Sequence, residues 1–314
     1  MKQKLLFFAP NHFDIDLVIL NQLEKMDNYC IVKLISKKYQ YKNIFERIQN
    51  FIGKIFLNKT LKNEWKAQLQ LQQIKESKSF DVCLIFRPDL LHSSVLSMIK
   101  EQIPRRKVVY WDSFQKVPAL KNTLMYFNDF YSFEKEDCKT YHLKQITNFY
   151  FQRKSDKTPE YDAFFLGSRD SRLDNIIKVI TYLKSKKWNA KALLVGKKKK
   201  LKDETGVEII QTGIPFSQSY RFTENTKIVI DIAHPNQKGL SMRPFEALGL
   251  HRKLITNNEN IRSYDFYDEN NVFICTNFDN LNIPDSFLKT PYQELPEDIY
   301  KKYHISHWLQ NILD

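Results

Sequence analysis

Residues 227–258 read KIVIDIAHPNQKGLSMRPFEALGLHRKLITNN, and the fold is decided there. The stretch opens on an apolar run, 228–232. A polar loop holding His234, Pro235, Gly239 and Ser241 comes next, then an amphipathic helix carrying Met242, Phe245, Ala247 and Leu248 that stops near Gly249. A second apolar run follows at 254–256. Strand, loop, helix, strand is one unit of a parallel α/β sheet. The chemistry gathers where the first strand hands over to the helix. Gly239 permits a tight turn or close approach to a ligand, and Ser241 suits the N-cap. The first helical amides, at the positive end of the dipole, suit a phosphate. Arg243 adds a planar cation, and Glu246, three residues on, shares its face. A carboxylate there repels a phosphate but accepts hydrogen bonds from sugar hydroxyls. Cation and carboxylate together point to a nucleotide. The plainer reading of the same residues is a capped surface helix with an Arg–Glu pair.

Working outward, 314 residues favour two domains over one, and 42% hydrophobic residues suffice for ordinary cores. Cys30, Cys83, Cys138 and Cys275 show no CxxC spacing, so no structural zinc site is expected. Cys30, Cys83 and Cys275 lie in apolar runs and read as core thiols of a reducing compartment. No run approaches the ~18 apolar residues that span a bilayer. The beginning, MKQKLLFFAPNHF, has an apolar stretch of only six residues and reads as a first strand rather than a signal peptide, so a cytoplasmic protein is expected. The formal net charge of +13 favours an anionic partner: nucleic acid, membrane surface or phosphorylated substrate.

In chain order, a strand at 5–9 is broken by Pro10, a helix opened by Asp14 or Asp16 follows, and a strand lies at 30–35. This is a Rossmann-type opening without GxGxxG. The loop after the first strand offers His12, Asp14 and Asp16 as acid–base candidates, with helix capping as the alternative for the aspartates. Residues 37–78 form a basic helical insertion, ten Lys or Arg against three Glu, a balance of +7. Its apolar stripe, Ile44, Phe45, Ile48, Phe51, Ile52, Ile55 and Phe56, reads first as core with a solvated outer face and second as a membrane-docking surface. Strands at 81–86 and 108–111 end in loops carrying Arg87 and then Asp112 and Ser113. Further elements are a strand at 129–133, a helix at 134–141 and a strand at 145–148. Residues 152–160, QRKSDKTPE, contain no apolar residue apart from the proline and form the linker. The pattern then restarts: strand 161–166 ending in Gly167, Ser168 and Arg169, helix 173–186, strands 192–195 and 207–210, a helix, the opening stretch, and a last strand at 271–275. Lysines 197–200 read as a solvated loop, or else as a contact for lipid headgroups or nucleic acid. The tail, 297–313, reads as helical. The domains are therefore 1–151, with the insertion at 37–78, and 161–290, with a C-terminal helical tail at 291–314.

Two Rossmann-like halves, a mid-chain linker and a nucleotide-suited helix follow the plan of a GT-B glycosyltransferase. The run YDAFFLGSRDSRLDNIIKVITYLKSKKWNAKALLVG resembles the start of a GT-B C-terminal domain. GLSMRPFEALGLHRKLITN resembles the donor helix of these enzymes, especially the CgeB-like group. VVYWDSF and DFYSFEKEDCKTYHL are similar to glycosyltransferases encoded with lipopolysaccharide and capsule genes. The resemblance covers nearly the whole chain. It implies an α/β fold of two Rossmann-like domains with a cleft between them and a C-terminal helix. By position it gives Glu246 to the donor ribose and Ser241, Met242 and Arg243 to the diphosphate. It also gives Ser168 and Arg169 to donor phosphate with Arg172 behind them, Gly213, Ile214 and Phe216 to the nucleobase loop, and His12 to the reacting sugar. Many retaining members carry a second glutamate eight residues before the first, where this chain has Lys238. Retention or inversion therefore stays open, as does an inactive relative.

The expectation is a cytoplasmic glycosyltransferase, metal-independent and without cofactor, that uses a nucleotide-sugar as co-substrate. The acceptor would be a glycan or a lipid-linked or lipopolysaccharide/capsule oligosaccharide, met at the inner face of an anionic cytoplasmic membrane. His12 is the preferred base, ahead of Asp14, Asp16 and Asp112, while Arg243 and Arg169 stabilise the leaving diphosphate. The rivals are a nucleotide-sugar epimerase of the same fold, a non-catalytic GT-B partner subunit, and a basic nucleic-acid-binding protein. No recognised nucleic-acid motif supports the last.

Overall fold

A computed structural model describes residues 2–11, 13–36, 39–56, 61–154, 156–197, 205–235 and 239–314. The chain divides into two compact units. One comprises Met1–His12, Asp16–Ile146 and Ile312–Asp314, the other Phe13–Ile15 and Thr147–Asn311.

The first unit runs β1 (Gln3–Phe8), α1 (Ile15–Glu24), β2 (Tyr29–Lys33), α2 (Ile44–Phe56), α3 (Leu61–Glu76), β3 (Val82–Phe86), α4 (Ser93–Gln102), β4 (Arg105–Tyr110), β5 (Asp129–Ser132), α5 (Lys135–Tyr141) and β6 (Lys144–Gln145). Its strands pair in parallel in the order β2-β1-β3-β4-β5-β6. Parallel neighbours cannot be joined by a tight turn, so crossovers carry the chain back. Central strands of such a sheet are covered on both faces and read as continuous apolar runs. Accordingly β3, VCLIF, is buried at every residue. Leu6, Phe8, Ile85, Val108, Tyr110 and Phe114 belong to one core cluster.

The second unit runs β7 (Tyr161–Ser168), α6 (Leu173–Ser185), β8 (Ala190–Val195), β9 (Val207–Ile210), α7 (Phe216–Glu224), β10 (Thr226–Asp231), α8 (Met242–Gly249), β11 (Lys253–Thr256) and β12 (Val272–Ile274). It closes with α9 (Asp285–Lys289), α10 (Glu297–Tyr303) and α11 (Ile305–Leu313). Its parallel sheet has the order β12-β11-β10-β7-β8-β9. With β7 counted as the first strand, this is the 3-2-1-4-5-6 order of dinucleotide-binding sheets, and the winding reverses between β7 and β10. Ligands of open α/β sheets sit outside the carboxyl ends of the strands at such a reversal. The loops after β7 and β10 therefore hold the position of interest. The two expected Rossmann-like halves are present.

Three expectations change. Cys30 is exposed rather than a core thiol, because β2 is an edge strand and the residue turns to the open side. In the insertion, Ile44, Phe45, Ile48 and Phe51 face solvent, so the core reading does not hold for them. The tail is two helices rather than one. Tyr150 bridges His304 as a short parallel pair, and its backbone bonds to Tyr303 O at 3.0 Å and Ile305 N at 2.8 Å, which breaks the helix. The helix expected to stop near Gly249 does end there, and packing keeps that residue small. A Cβ there would collide with the Tyr150 ring, and it is His251 that takes the left-handed φ of 53°.

Candidate functional site

The site is built on β10. Apolar through Ile228, Val229 and Ile230, the strand ends on Asp231, which is buried. Its carboxylate accepts from the Ser241 hydroxyl at 2.9 Å and the Thr256 hydroxyl at 3.3 Å. Burial pushes the Asp231 pKa up, against the lowering effect of the Ser241 bond and of the nearby Arg243 and Arg172 charges. Ser241 Oγ also accepts from the Arg243 amide at 3.1 Å, so one hydroxyl caps α8 and latches it to the strand. Pro244 has no amide to offer. With the Arg243 amide taken by the cap, an anion at this helix start would draw on the preceding loop and on side-chain cations.

Arg243 and Glu246 meet each other, as the plainer reading of the sequence had it. However, the helix is no surface helix, since residues 244–249 are all buried. The Arg243 guanidinium pairs with Glu246 Oε2, which also accepts from the Thr223 hydroxyl at 3.0 Å. Glu246 is 3% exposed, and its Oε1 is buried with no hydrogen-bond partner among the described residues. A desolvated carboxylate oxygen left this way is costly, and a ligand hydroxyl would relieve it.

On the other side of the reversal, Ser168 ends β7 and is exposed. Arg169 bonds Val195 O through its amide, and its Nε is buried without a partner among the described residues. Arg172 is fully engaged. It grips Asp170 through Nε at 2.9 Å and Nη2 at 2.7 Å, and donates from Nη1 to Ile232 O at 2.7 Å. This fork ties the β7 loop to the β10 loop. Burial raises the Asp170 pKa, but the Arg172 bonds and charge outweigh it and hold the carboxyl below its ordinary range. Gly239 is fixed through its carbonyl, which accepts from Asn258 Nδ2 at 3.3 Å.

The nucleobase-loop candidates lie after β9. Ile214 packs on the Phe164, Leu166 and Leu193 cluster, Phe216 opens α7 with its ring 5.2 Å from that of Phe151, and Gly213 faces the Phe13 ring. Met242 is the first residue of α8.

In the first unit, Asp16 is buried and accepts from Lys33 Nζ at 2.7 Å. Asp112 accepts from Arg87 at 2.7 Å and Lys116 at 2.6 Å. Each is therefore engaged in an ion pair. Asp14, half-buried, sits just before α1 with φ 61°. His12, Lys238 and lysines 198–200 lie outside the described residues. Among the described residues, no group of three or more His, Cys, Asp or Glu gathers to hold a metal ion, and no helix is long and apolar enough to cross a membrane.

Sequence reasoning passed over Asp231, Thr223 and Asp170. For Asp231 a signal existed, an acid within the otherwise apolar run 228–232. Thr223 had none, because only the packing of α7 against α8 brings it to Glu246.

No family model matches the sequence, and no curated protein does. Solved structures do match. A UDP-N-acetylglucosamine 2-epimerase aligns over 100% of this chain and 95% of its own, with a TM-score of 0.54 and 11% identity. An α-glucosyltransferase solved with UDP and a 13-mer DNA containing an HMU base aligns over 82% of this chain and 79% of its own, with a TM-score of 0.50 and 9% identity. The fold is the GT-B one. The GtfA/B complex is matched over 79% of this chain but only 60% of that chain, at 12% identity and a TM-score of 0.47, a likeness too loose to carry weight. At such identities the likeness speaks for the GT-B fold alone.

Proposed function

We propose that this chain is a glycosyltransferase that takes a sugar from a nucleoside-diphosphate sugar bound at the carboxyl edge of the second unit's sheet. The observation that carries the reading is a pair of buried polar atoms without a partner among the described residues, one in the loop after β7 and one on α8, on either side of the strand reversal. Glu246 Oε1 suits a ribose hydroxyl, and Arg169 Nε suits a phosphate oxygen. Arg243 shares its charge between Glu246 and the diphosphate. In the reaction an acceptor hydroxyl gives its proton to a base, and its oxygen bonds to the anomeric carbon. The bond from that carbon to the diphosphate oxygen breaks, and the electron pair leaves with the diphosphate. Cations at the diphosphate stabilise that charge as it develops. With Asp16 and Asp112 ion-paired, His12 and Asp14 are the preferred bases. The acceptor is a glycan or lipid-linked oligosaccharide of a surface polysaccharide, met by the enzyme in the cytoplasm.

The test is a thermal-shift panel of UDP, GDP, dTDP, CMP, ADP and their sugars on wild type and Glu246→Ala. A ligand that binds only the folded state raises its stability with occupancy. One nucleotide should shift wild type and leave Glu246→Ala unmoved. A shift that survives in the variant removes Glu246 from the site. With donor and acceptor supplied, Arg243→Ala should lower turnover by about 100-fold, as loss of one charge-stabilising donor does. Unchanged turnover would remove Arg243 from the mechanism.

A second reading, a nucleotide-sugar epimerase, is favoured by the end-to-end likeness to a UDP-N-acetylglucosamine 2-epimerase. It needs no acceptor, so an epimerised sugar formed from donor alone would select it.

A further inference from the structure

Helix α2 carries its amphipathic character inside out. Ile44, Phe45, Ile48 and Phe51 are 67%, 76%, 49% and 63% exposed. At 3.6 residues per turn these four side chains fall within an arc of about 120°. The other face turns to the protein. Glu46 Oε2 accepts from the Tyr39 hydroxyl at 2.6 Å and the Lys42 amide at 2.9 Å, and Asn50 Oδ1 is buried. Single exposed hydrophobic residues need no explanation, whereas a contiguous stripe of four large ones marks a surface that something covers.

The surroundings say what covers it. Arg47 borders the stripe on the same helix, and the exposed cations Lys42 and Lys62 flank it. Arg47 and Lys62 both lie over the Tyr41 ring, at 5.7 and 4.9 Å. Tyr41 meets Tyr39 edge-on, and Tyr39 meets Trp65, each pair at 5.3 Å. Tyrosine, tryptophan and long cations beside an apolar stripe are the side chains that settle at the headgroup level of a bilayer. A second copy of this chain fits poorly. Face-to-face stripes would bring like charges together in a segment with a balance of +7, and Glu46 is already committed to Tyr39 and Lys42.

We propose that α2 docks the protein on an anionic bilayer. It lies in the plane of the surface, with Ile44, Phe45, Ile48 and Phe51 among the acyl chains and Lys42, Arg47 and Lys62 at the lipid phosphates. This stands whether or not the second unit binds a nucleotide-sugar. If it does, a lipid-linked acceptor is presented at the same surface.

Co-sedimentation of the full chain with vesicles tests it, using equimolar phosphatidylglycerol and phosphatidylcholine against phosphatidylcholine alone. Wild type should pellet with the anionic vesicles, and less so at about 0.5 M salt, where the Debye length is short. Phe45→Asp/Phe51→Asp should lower the partition coefficient at least about tenfold through loss of apolar insertion, while keeping the wild-type melting temperature because both side chains are solvent-facing. Arg47→Glu/Lys62→Glu should lower binding to anionic vesicles by a similar factor, and this second variant carries the test should the first fail to fold. The proposal is overturned if wild type stays in the supernatant at low salt, or if a folded variant binds as wild type does. It is also overturned if wild type is a dimer that Phe45→Asp/Phe51→Asp converts to monomer without any vesicle binding, which would assign the stripe to a second copy.

Discussion

Asp231 is the residue on which the candidate site turns, although no ligand need touch it. It is buried, and its charge is opposed by that burial more than it is helped by Ser241 and the neighbouring arginines. Its folded pKa therefore lies above the unfolded value of about 3.9. The sign follows from linkage. A carboxyl whose pKa is raised by folding contributes its stability fully below the unfolded pKa, and that contribution is lost as pH climbs through the folded pKa. Every tenfold weakening of the acid on folding corresponds to about 1.4 kcal/mol. Asp231→Asn keeps an oxygen to accept from Ser241 and removes the charge. It should melt at a higher temperature than wild type at pH 7, and the two proteins should converge as pH falls towards 4. Parallel melting curves across that range would show that Asp231 is comfortably ionised in place. The residue also marks where sequence reading falls short. Glu246 and Arg243 were legible from their spacing on one helix face. The oxygen of Glu246 left without a partner was not, since that depends on Thr223 arriving from α7.

At the level of elements, the start of α8 is latched to β10 by a single hydroxyl. Ser241 Oγ caps the Arg243 amide and donates to Asp231. Ser241→Ala should cost about 1 kcal/mol for the lost cap and about 1 kcal/mol more for the acceptor left unbonded. In urea unfolding the midpoint should fall with the slope unchanged, Ser241→Thr should restore most of it, and a loss below about 0.5 kcal/mol would mean that the latch is idle. The effects of Ser241→Ala and Asp231→Asn should not be additive, because the two side chains share one bond. Elements such as β3, β7 and β10 were readable in the sequence because buried parallel strands are short unbroken apolar runs. The facing of α2 was not readable. Period 3.6 reports that a helix has an apolar side, but only packing reports where that side points, and here Glu46 and Asn50 point inward instead. The break of the tail at His304 was likewise hidden, since its cause is Tyr150, far away in sequence.

For the whole molecule, the strand order does what no single motif does. The sequence announces alternating strands and helices, but the reversal between β7 and β10 exists only once the strands have paired. That pairing brings the Arg172 fork within reach of Ile232 O, joining loops about sixty residues apart. A nucleotide bound at the reversal should therefore leave a local footprint. Its phosphates and ribose would order backbone already tied by Arg172, Asp231 and Asn258, and amides there should open less often. Hydrogen exchange with and without the nucleotide selected by thermal shift should show protection in segments 167–172 and 239–246. The amino ends of β7 and β10, at the opposite edge of the same sheet, should exchange as before. Protection at that opposite edge, or protection centred on the Arg87–Asp112 pair of the first unit, would put the ligand elsewhere and leave the unpaired oxygen of Glu246 as a structural strain without a functional counterpart.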